Sequence, residues 1–520
     1  MVTQIDTDKR RFMQVTAVGT ALTMAGMPSQ SQAAALPLPE YEQFDAIALA
    51  DQIRMGNITP TEALDAATAR ADARQALNAM ALRHDELARD AAKAMSAMGR
   101  SARLEQSRQA PLWGVPFAIK DLGVALKDTV TTNGCAFFKD SVAGQSTTLV
   151  QRYQATGLNI FAKTTSPEFG QTATTESKLH GLTRNPWNPQ LSSGGSSGGA
   201  AVAVASGVIP LAHASDGGGS IRIPASHCGL FGLKPSRGRV PAGPNFLEGW
   251  LGLSINHAVS RSVRDSALLL ELTQGAEPGS RSSPPSRPLM AALQKPPRKL
   301  RIALMEENLF GYPVHPDCLA AARSAARLCE ALGHHVEPMP KQWLSPQVVG
   351  QMFAGMGVAT AGGMLLTVRA HEKALGRAAR EDEFEPINWS SLQKAKNYTA
   401  EQVFNARAVF DQVGRSFDLF FAQTDLILSP VTAAPPPVLG EMSLNQPFEQ
   451  FVKSAVMASP FTAMFNMSGH PAMSVPLHWN EAGLPLGAQF VGPYGDEALL
   501  LSLASQLEQA APWQNKRPKL

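Results

Sequence analysis

Glycine and serine are concentrated in one stretch of this chain, where their spacing can build a site for an oxyanion. Gly194-Gly195-Ser196-Ser197-Gly198-Gly199 forms a first cluster, and Ser215-Asp216-Gly217-Gly218-Gly219-Ser220 a second. The apolar run Ala200 to Ala212 between them can cross a core as a helix and then a strand. Glycine admits left-handed backbone and lets a ligand approach the main chain closely. Three glycines directly before Ser220 therefore point main-chain N–H groups at something negatively charged. One such cluster alone would read as a turn. Two of them, flanking a buried rod, read as a paired loop site rich in hydroxyls.

The wording of this stretch, GGSSGG followed by DGGGSIRIPA and GLKPSRGR, resembles the amidase signature family in both residues and spacing. The resemblance implies that Ser220 is the nucleophile and that Ser196, which follows a cis peptide bond in the family, is a bridging serine. It also implies an upstream lysine as base. Gly114-Val115-Pro116-Phe117-Ala118-Ile119-Lys120-Asp121 matches the family's G-V-P-x-x-x-K-D pattern and assigns that role to Lys120. The residue chemistry agrees, because the apolar neighbours Val115 to Ile119 favour a neutral amine. Working near neutral pH requires a pKa well below the ordinary value of about 10.4, or about 3 to 4 kcal/mol of differential solvation. A surface lysine paired with Asp121 is the plain alternative.

Further implications follow from the same resemblance. Main-chain N–H groups of Gly217, Gly218, Gly219 and Ser220 would hold the oxyanion, with Ser197, Asp216 and Arg222 supporting the loop. Ala214 stands where the pattern usually has glycine. The implied fold is α/β, a large mixed central β-sheet covered by helices on both faces. The implied activity is hydrolysis of small linear or cyclic amides through a serine acyl-enzyme, without a cofactor. Esters and carbamates stay open, since all three form a tetrahedral oxyanion. The segments TTE, TRNPWN, FNMSGHPA and LEQAAPW are similar to the 6-aminohexanoate cyclic dimer hydrolase branch of the family. Gln171 falls where a polar substrate contact is expected, and a loop-stabilising amide explains it equally well.

Other readings compete for the same residues. Gly194-Gly195-Ser196-Ser197-Gly198 also satisfies G-x-S-x-G, which would make Ser196 the nucleophile with a downstream Asp and a histidine such as His470. That reading leaves DGGGS and the lysine motif without a role. Ser391-Leu392-Gln393-Lys394 satisfies S-x-x-K but lacks partner motifs. A non-catalytic scaffold or an amidotransferase-like subunit is the alternative from another class. The complete set of Lys120, Ser196 and Ser220 argues against the first, and an export signal against the second.

At 520 residues, 44% hydrophobic and 17% charged, the chain has ample material for a large core. A net charge of +3, with Lys and Arg dispersed, offers no stripe for nucleic acid and leaves small molecules as the expected partners. A homodimer stays open. No HExxH or CxxC motif accompanies the eleven histidines and four cysteines, so no metal site is expected. Cys318 and Cys329 share a helical pattern about three turns long, roughly 16 Å, too far for a disulfide.

The elements that must position these groups follow in chain order. Lys9-Arg10-Arg11-Phe12, a mildly apolar run from Val15 to Ala25, and Ser31-Gln32-Ala33 resemble a twin-arginine export signal over residues 1–33. The run is too short and weakly apolar for stable membrane insertion. A periplasmic or secreted single domain, 34–520, is the expectation. Gly56 is placed to end a helix beginning near Phe44, and Thr59-Pro60-Thr61-Glu62 to start another, alanine-rich to Ser101. Pro111 to Lys120 reads as a strand ending at the base, and Thr147 to Thr164 as a helix turning at Gly157 into a strand. Strands are expected at 300–305, within 426–437 and at 487–491, and helices at 320–332 and 498–510. Ser280 to Arg298 reads as a linker. Gly350 to Leu366 is expected against the pocket, since methionine adapts to varied apolar shapes, and Pro460 to Asn466 at the site edge.

Overall fold

Short buried runs become strands and alanine-rich segments become helices, in two principal sheets. The computed structural model describes residues 37–520 apart from 245, 281–282 and 342. The expected export signal, 1–33, lies outside the described residues. In the smaller sheet, β1 (Met80–Arg83), β2 (Pro116–Lys120) and β3 (Asn159–Thr164) run in the order β1-β3-β2, with β3 parallel to β2 and antiparallel to β1.

The larger sheet has eight strands: β4 (Leu211–Asp216), β5 (Phe231–Lys234), β6 (Ile255–Ser260), β7 (Arg301–Leu304), β8 (His335–Pro338), β9 (Leu426–Pro430), β10 (Ala472–Trp479) and β11 (Pro485–Val491). Their order is β8-β7-β9-β11-β10-β5-β6-β4. The pairs of β7 with β8 and β9 are parallel and the others antiparallel, so the sheet is mixed, as expected. Every residue of β2, β4, β9 and β11 is buried, so these strands show no alternation of apolar and exposed polar positions.

Local signals place the helices well. Helix Ala46–Met55 is capped by the Asp45 side chain and stopped by Gly56 at φ +82°. Helix Pro60–Ala73 starts with the reciprocal Thr59–Glu62 capping box. The expected helical stretch to Ser101 is interrupted, however, because Met80-Ala81-Leu82-Arg83 forms β1. Pairing with β3 overrides the helix preference of those residues. The apolar rod between the serine clusters is helix Gly198–Ala205, wholly buried, followed by β4. Cys318 and Cys329 both lie on helix Pro316–Ala331 as free thiols.

Helix Pro346–Leu375 has the length and composition to cross a membrane. It packs along helix Ala400–Phe421 and buries Met352, Ala359, Met364 and Val368. The proposed linker contains a short helix, Leu289–Ala292, with Leu289 buried in the core. Strands β7, β9 and β11 and helix Glu497–Ala510 fall within or beside the ranges read from sequence.

Candidate active site

Lys120 is the last residue of β2, an edge of the small sheet, and Ser215 and Asp216 end β4, an edge of the large one. The two strands pack side by side, so Lys120 and the glycine loop meet across a seam between sheets. Lys120 is 0% exposed. Its Nζ lies 2.7 Å from Ser196 Oγ and 3.1 Å from Ser215 Oγ, and it joins no ion pair among the described residues. Burial pushes its pKa down to about 7, against the opposing pull of the Asp216 charge. Asp121, the alternative partner, instead accepts hydrogen bonds from the amide and hydroxyl of Thr132 and contacts His180.

The Gly195–Ser196 peptide bond is cis. A Cβ at Gly195 would lie 2.3 Å from the Thr174 carbonyl oxygen, so only glycine lets the chain pass there. Ser196 is buried, and its neighbour Ser197 ties the two clusters together. Ser197 Oγ donates to the Ser215 carbonyl at 3.1 Å and accepts from the Ser215 amide at 3.2 Å.

Asp216 organises the second cluster. It accepts from the amides of Gly219 (2.7 Å) and Ile221 (3.1 Å), and from Arg222 through Nε and a terminal guanidinium nitrogen at 2.9 and 2.8 Å. The remaining guanidinium N–H groups reach Asn466 Oδ1, the Thr462 carbonyl and Gln489 Oε1 at 2.6, 2.9 and 2.7 Å. All five donors of this buried Arg222 are thus satisfied. Burial alone would raise the Asp216 pKa, and the Arg222 guanidinium outweighs it, holding the carboxyl well below the usual range.

This geometry corrects one expectation. The N–H of Gly219 is committed to Asp216 and cannot also hold an oxyanion. The reason is that Asp216, three residues back at the end of β4, turns its carboxylate onto that amide at 2.7 Å. The amides of Gly217, Gly218 and Ser220 make no protein hydrogen bond among the described residues and remain available. Ser220 itself is partly exposed, with no side-chain hydrogen bond among the described residues, as a group that must meet a substrate requires.

Two apolar side chains cover the glycine loop. A Cβ at Gly217 would lie 2.5 Å from the Trp250 ring, and one at Gly218 would lie 2.8 Å from Met356 Cε. Helix Pro346–Leu375 therefore reaches the loop through Met356, and Thr462 Oγ1 holds the Gly218 carbonyl at 2.7 Å. Both segments were expected near the site. Gln171 follows Gly170, whose Cβ position would lie 3.0 Å from Ser196 Oγ, and Gln171 Nε2 is buried without a hydrogen bond among the described residues.

The competing motifs do not assemble. His470 bonds Ser468 Oγ and Asp418 Oδ1, and His257 bonds Ser266 Oγ at 2.8 Å through Nε2 while its Nδ1 has no partner among the described residues, so neither ring is hydrogen-bonded to Ser196. Ser391 donates to the Ile387 carbonyl on helix Pro386–Ala395. Ser215, Trp250 and Asn466 lie in segments expected at the site, but their contacts were not read from sequence, and Gln489 was not singled out at all. Gln489 alone left a signal, as a lone amide inside the buried run of β11.

Comparison with known proteins accords with this geometry. A family model described as Amidase matches residues 62–501. The chain is 35% identical over 496 residues to the 6-aminohexanoate-cyclic-dimer hydrolase of Paenarthrobacter ureafaciens, covering 92% of this chain and 96% of that protein. A solved structure of a 6-aminohexanoate cyclic dimer hydrolase superimposes with a TM-score of 0.83 at 33% identity, over 92% of this chain and 99% of that one. A bacterial aryl acylamidase of the amidase signature family superimposes with a TM-score of 0.82 at 26% identity, again over 92% and 99%.

Proposed function

The chain belongs to the amidase signature family and is an amide-hydrolysing enzyme, and from that premise we propose that Ser220, Ser196 and Lys120 form its proton relay and acyl-enzyme site. The observation that carries the proposal is the 2.7 Å contact between a fully buried, ion-pair-free amine and Ser196 Oγ. At that distance a neutral amine can accept a hydrogen bond from the Ser196 hydroxyl, the contact through which its proton would move. Lys120 Nζ takes the proton of Ser196, Ser196 takes that of Ser220, and Ser220 Oγ bonds to the carbonyl carbon. The carbonyl π electrons move to oxygen, where the amides of Gly217, Gly218 and Ser220 stabilise the charge. Collapse breaks the C–N bond, and the proton returns along the relay to the leaving amine. Water then repeats the sequence to release the acid and restore Ser220.

Substrates are small linear or cyclic amides. Trp250 and Met356 over the loop support an apolar chain beside the reacting carbonyl. The Nε2 of Gln171, buried without a hydrogen bond among the described residues and next to Gly170 at Ser196, supports a donor role toward a substrate oxygen. A panel of linear amides, cyclic lactams, anilides and carbamates, run with fluorophosphonate labelling, tests the assignment. We expect turnover of at least one amide class and a label on Ser220 that Ser220→Ala abolishes. A label on Ser196 instead, with Ser220→Ala still active, would overturn it.

A further inference from the structure

We propose that His213 is a positioning residue for Lys120: its neutral imidazole bridges the seam between the two sheets and holds the base at working distance from Ser196. The inference rests on the catalytic assignment above.

Edge strands carry unpaired main-chain groups. β2 is hydrogen-bonded to β3 on one side, and on the other it packs against β4, with no backbone ladder between them. A buried N–H on that side needs an acceptor. For Lys120 the acceptor is a side chain, His213 Nδ1, at 3.1 Å, with both residues fully buried. Alternation along β4 puts His213 and Ser215 on the same face. The strand thus grips Lys120 twice, His213 at its backbone and Ser215 at its amine.

The imidazole can do this in one protonation state. Nδ1 accepts only when it carries no hydrogen, and Nε2 lies 3.3 Å from Asn256 Oδ1 on β6, an oxygen that calls for an N–H. Both contacts select the neutral tautomer with hydrogen on Nε2. Burial, reinforced by the nearby Lys120 and His257, keeps the His213 pKa at about 3. The Tyr153 ring stands 5.8 Å from the imidazole, and its hydroxyl donates to the His257 carbonyl, closing the box. The charged group acting on the amine is Asp216, itself paired with Arg222. A neutral bridge therefore positions the base without adding a charge that would change its proton affinity.

The rate of fluorophosphonate labelling of the full chain, followed against pH, tests this without requiring the natural substrate. The series is wild type, Lys120→Ala, His213→Leu, His213→Asn and Asn256→Leu. His213→Leu is expected to label about 10- to 100-fold more slowly, because small displacements of a reacting group cost that much. Its acidic limb should move to higher pH as water reaches the amine. His213→Asn, which returns an acceptor near the Nδ1 position, should recover most of the rate. Asn256→Leu, which removes only the tautomer's second contact, should slow labelling about threefold.

Labelling of His213→Leu within about twofold of wild type, with the limb unmoved and Lys120→Ala inactive, would overturn the role. So would equal losses in His213→Leu and His213→Asn with an unmoved limb, which is the mark of packing alone. Should His213→Leu fail to fold, an unchanged rate in Asn256→Leu overturns it. Lys120→Ala labelling at the wild-type rate removes the base assignment itself, an outcome distinct from the others.

Discussion

Lys120 and Asp216 are both wholly buried at neighbouring strand ends, yet burial decides the charge of one and a partner decides that of the other. At Lys120, desolvation favours the neutral amine, and only hydroxyls among the described residues lie within hydrogen-bond distance of Nζ, so its pKa falls to about 7. At Asp216, desolvation favours the neutral acid, but the Arg222 fork, Asn466 and two close amides more than compensate. One end of the site can exchange a proton near neutral pH, and the other is a permanent ion pair that shapes the glycine loop. Moving parts and fixed parts differ here by their neighbours, since depth is equal.

The sharpest way to break this comparison is at the proton-exchanging end. Lys120→Ala should lower kcat/KM by roughly a thousandfold or more, since it removes the proposed general base. Adding Ser196→Ala to it should cost little further, because residues of one relay do not contribute additively. Losses that multiply in the double variant would separate the two residues.

The fixed end should fail differently. Arg222→Met leaves the Asp216 carboxylate buried with its main partner gone, and should destabilise the fold by about 3 to 5 kcal/mol in denaturant titrations. A loss below about 1 kcal/mol would mean that the pair is dispensable and that the loop is held by its backbone alone.

The smallest effect is a position on the pH axis. In the proposed relay the working amine is neutral, so kcat/KM should rise with pH through about 7 as Lys120 loses its proton, and fall away below it. His257→Ala and His470→Ala should leave that limb in place, because both imidazoles bond elsewhere. A limb displaced by either variant would hand the base to a histidine.

Much of the site was legible as text because its requirements are local. Gly195 and Gly219 are demanded by close approach and by backbone conformation, and both recur in short runs with the serines they serve. The same holds for helix ends, where Asp45, Thr59 and Glu62 act within four residues of themselves. The error at β1 arose where a local preference met a distant strand: Met80 to Arg83 favour helix, and β3, about 80 residues on, imposes extension.

By itself, then, the chain's wording determined the family, the residue types of the relay and the glycine loop beside them, because chemistry and turn geometry act over a few neighbours. Tertiary structure alone decided that Lys120 and the glycine loop carrying Ser220 follow strands of different sheets, and that the Gly219 amide turns to Asp216. It alone brought Gln489 to Arg222 and fixed which atoms of Met356, Trp250 and Asn466 meet the loop. Those outcomes rest on contacts such as Arg222 with Gln489, 267 residues apart, whose geometry exists only once both sheets are packed and water is gone.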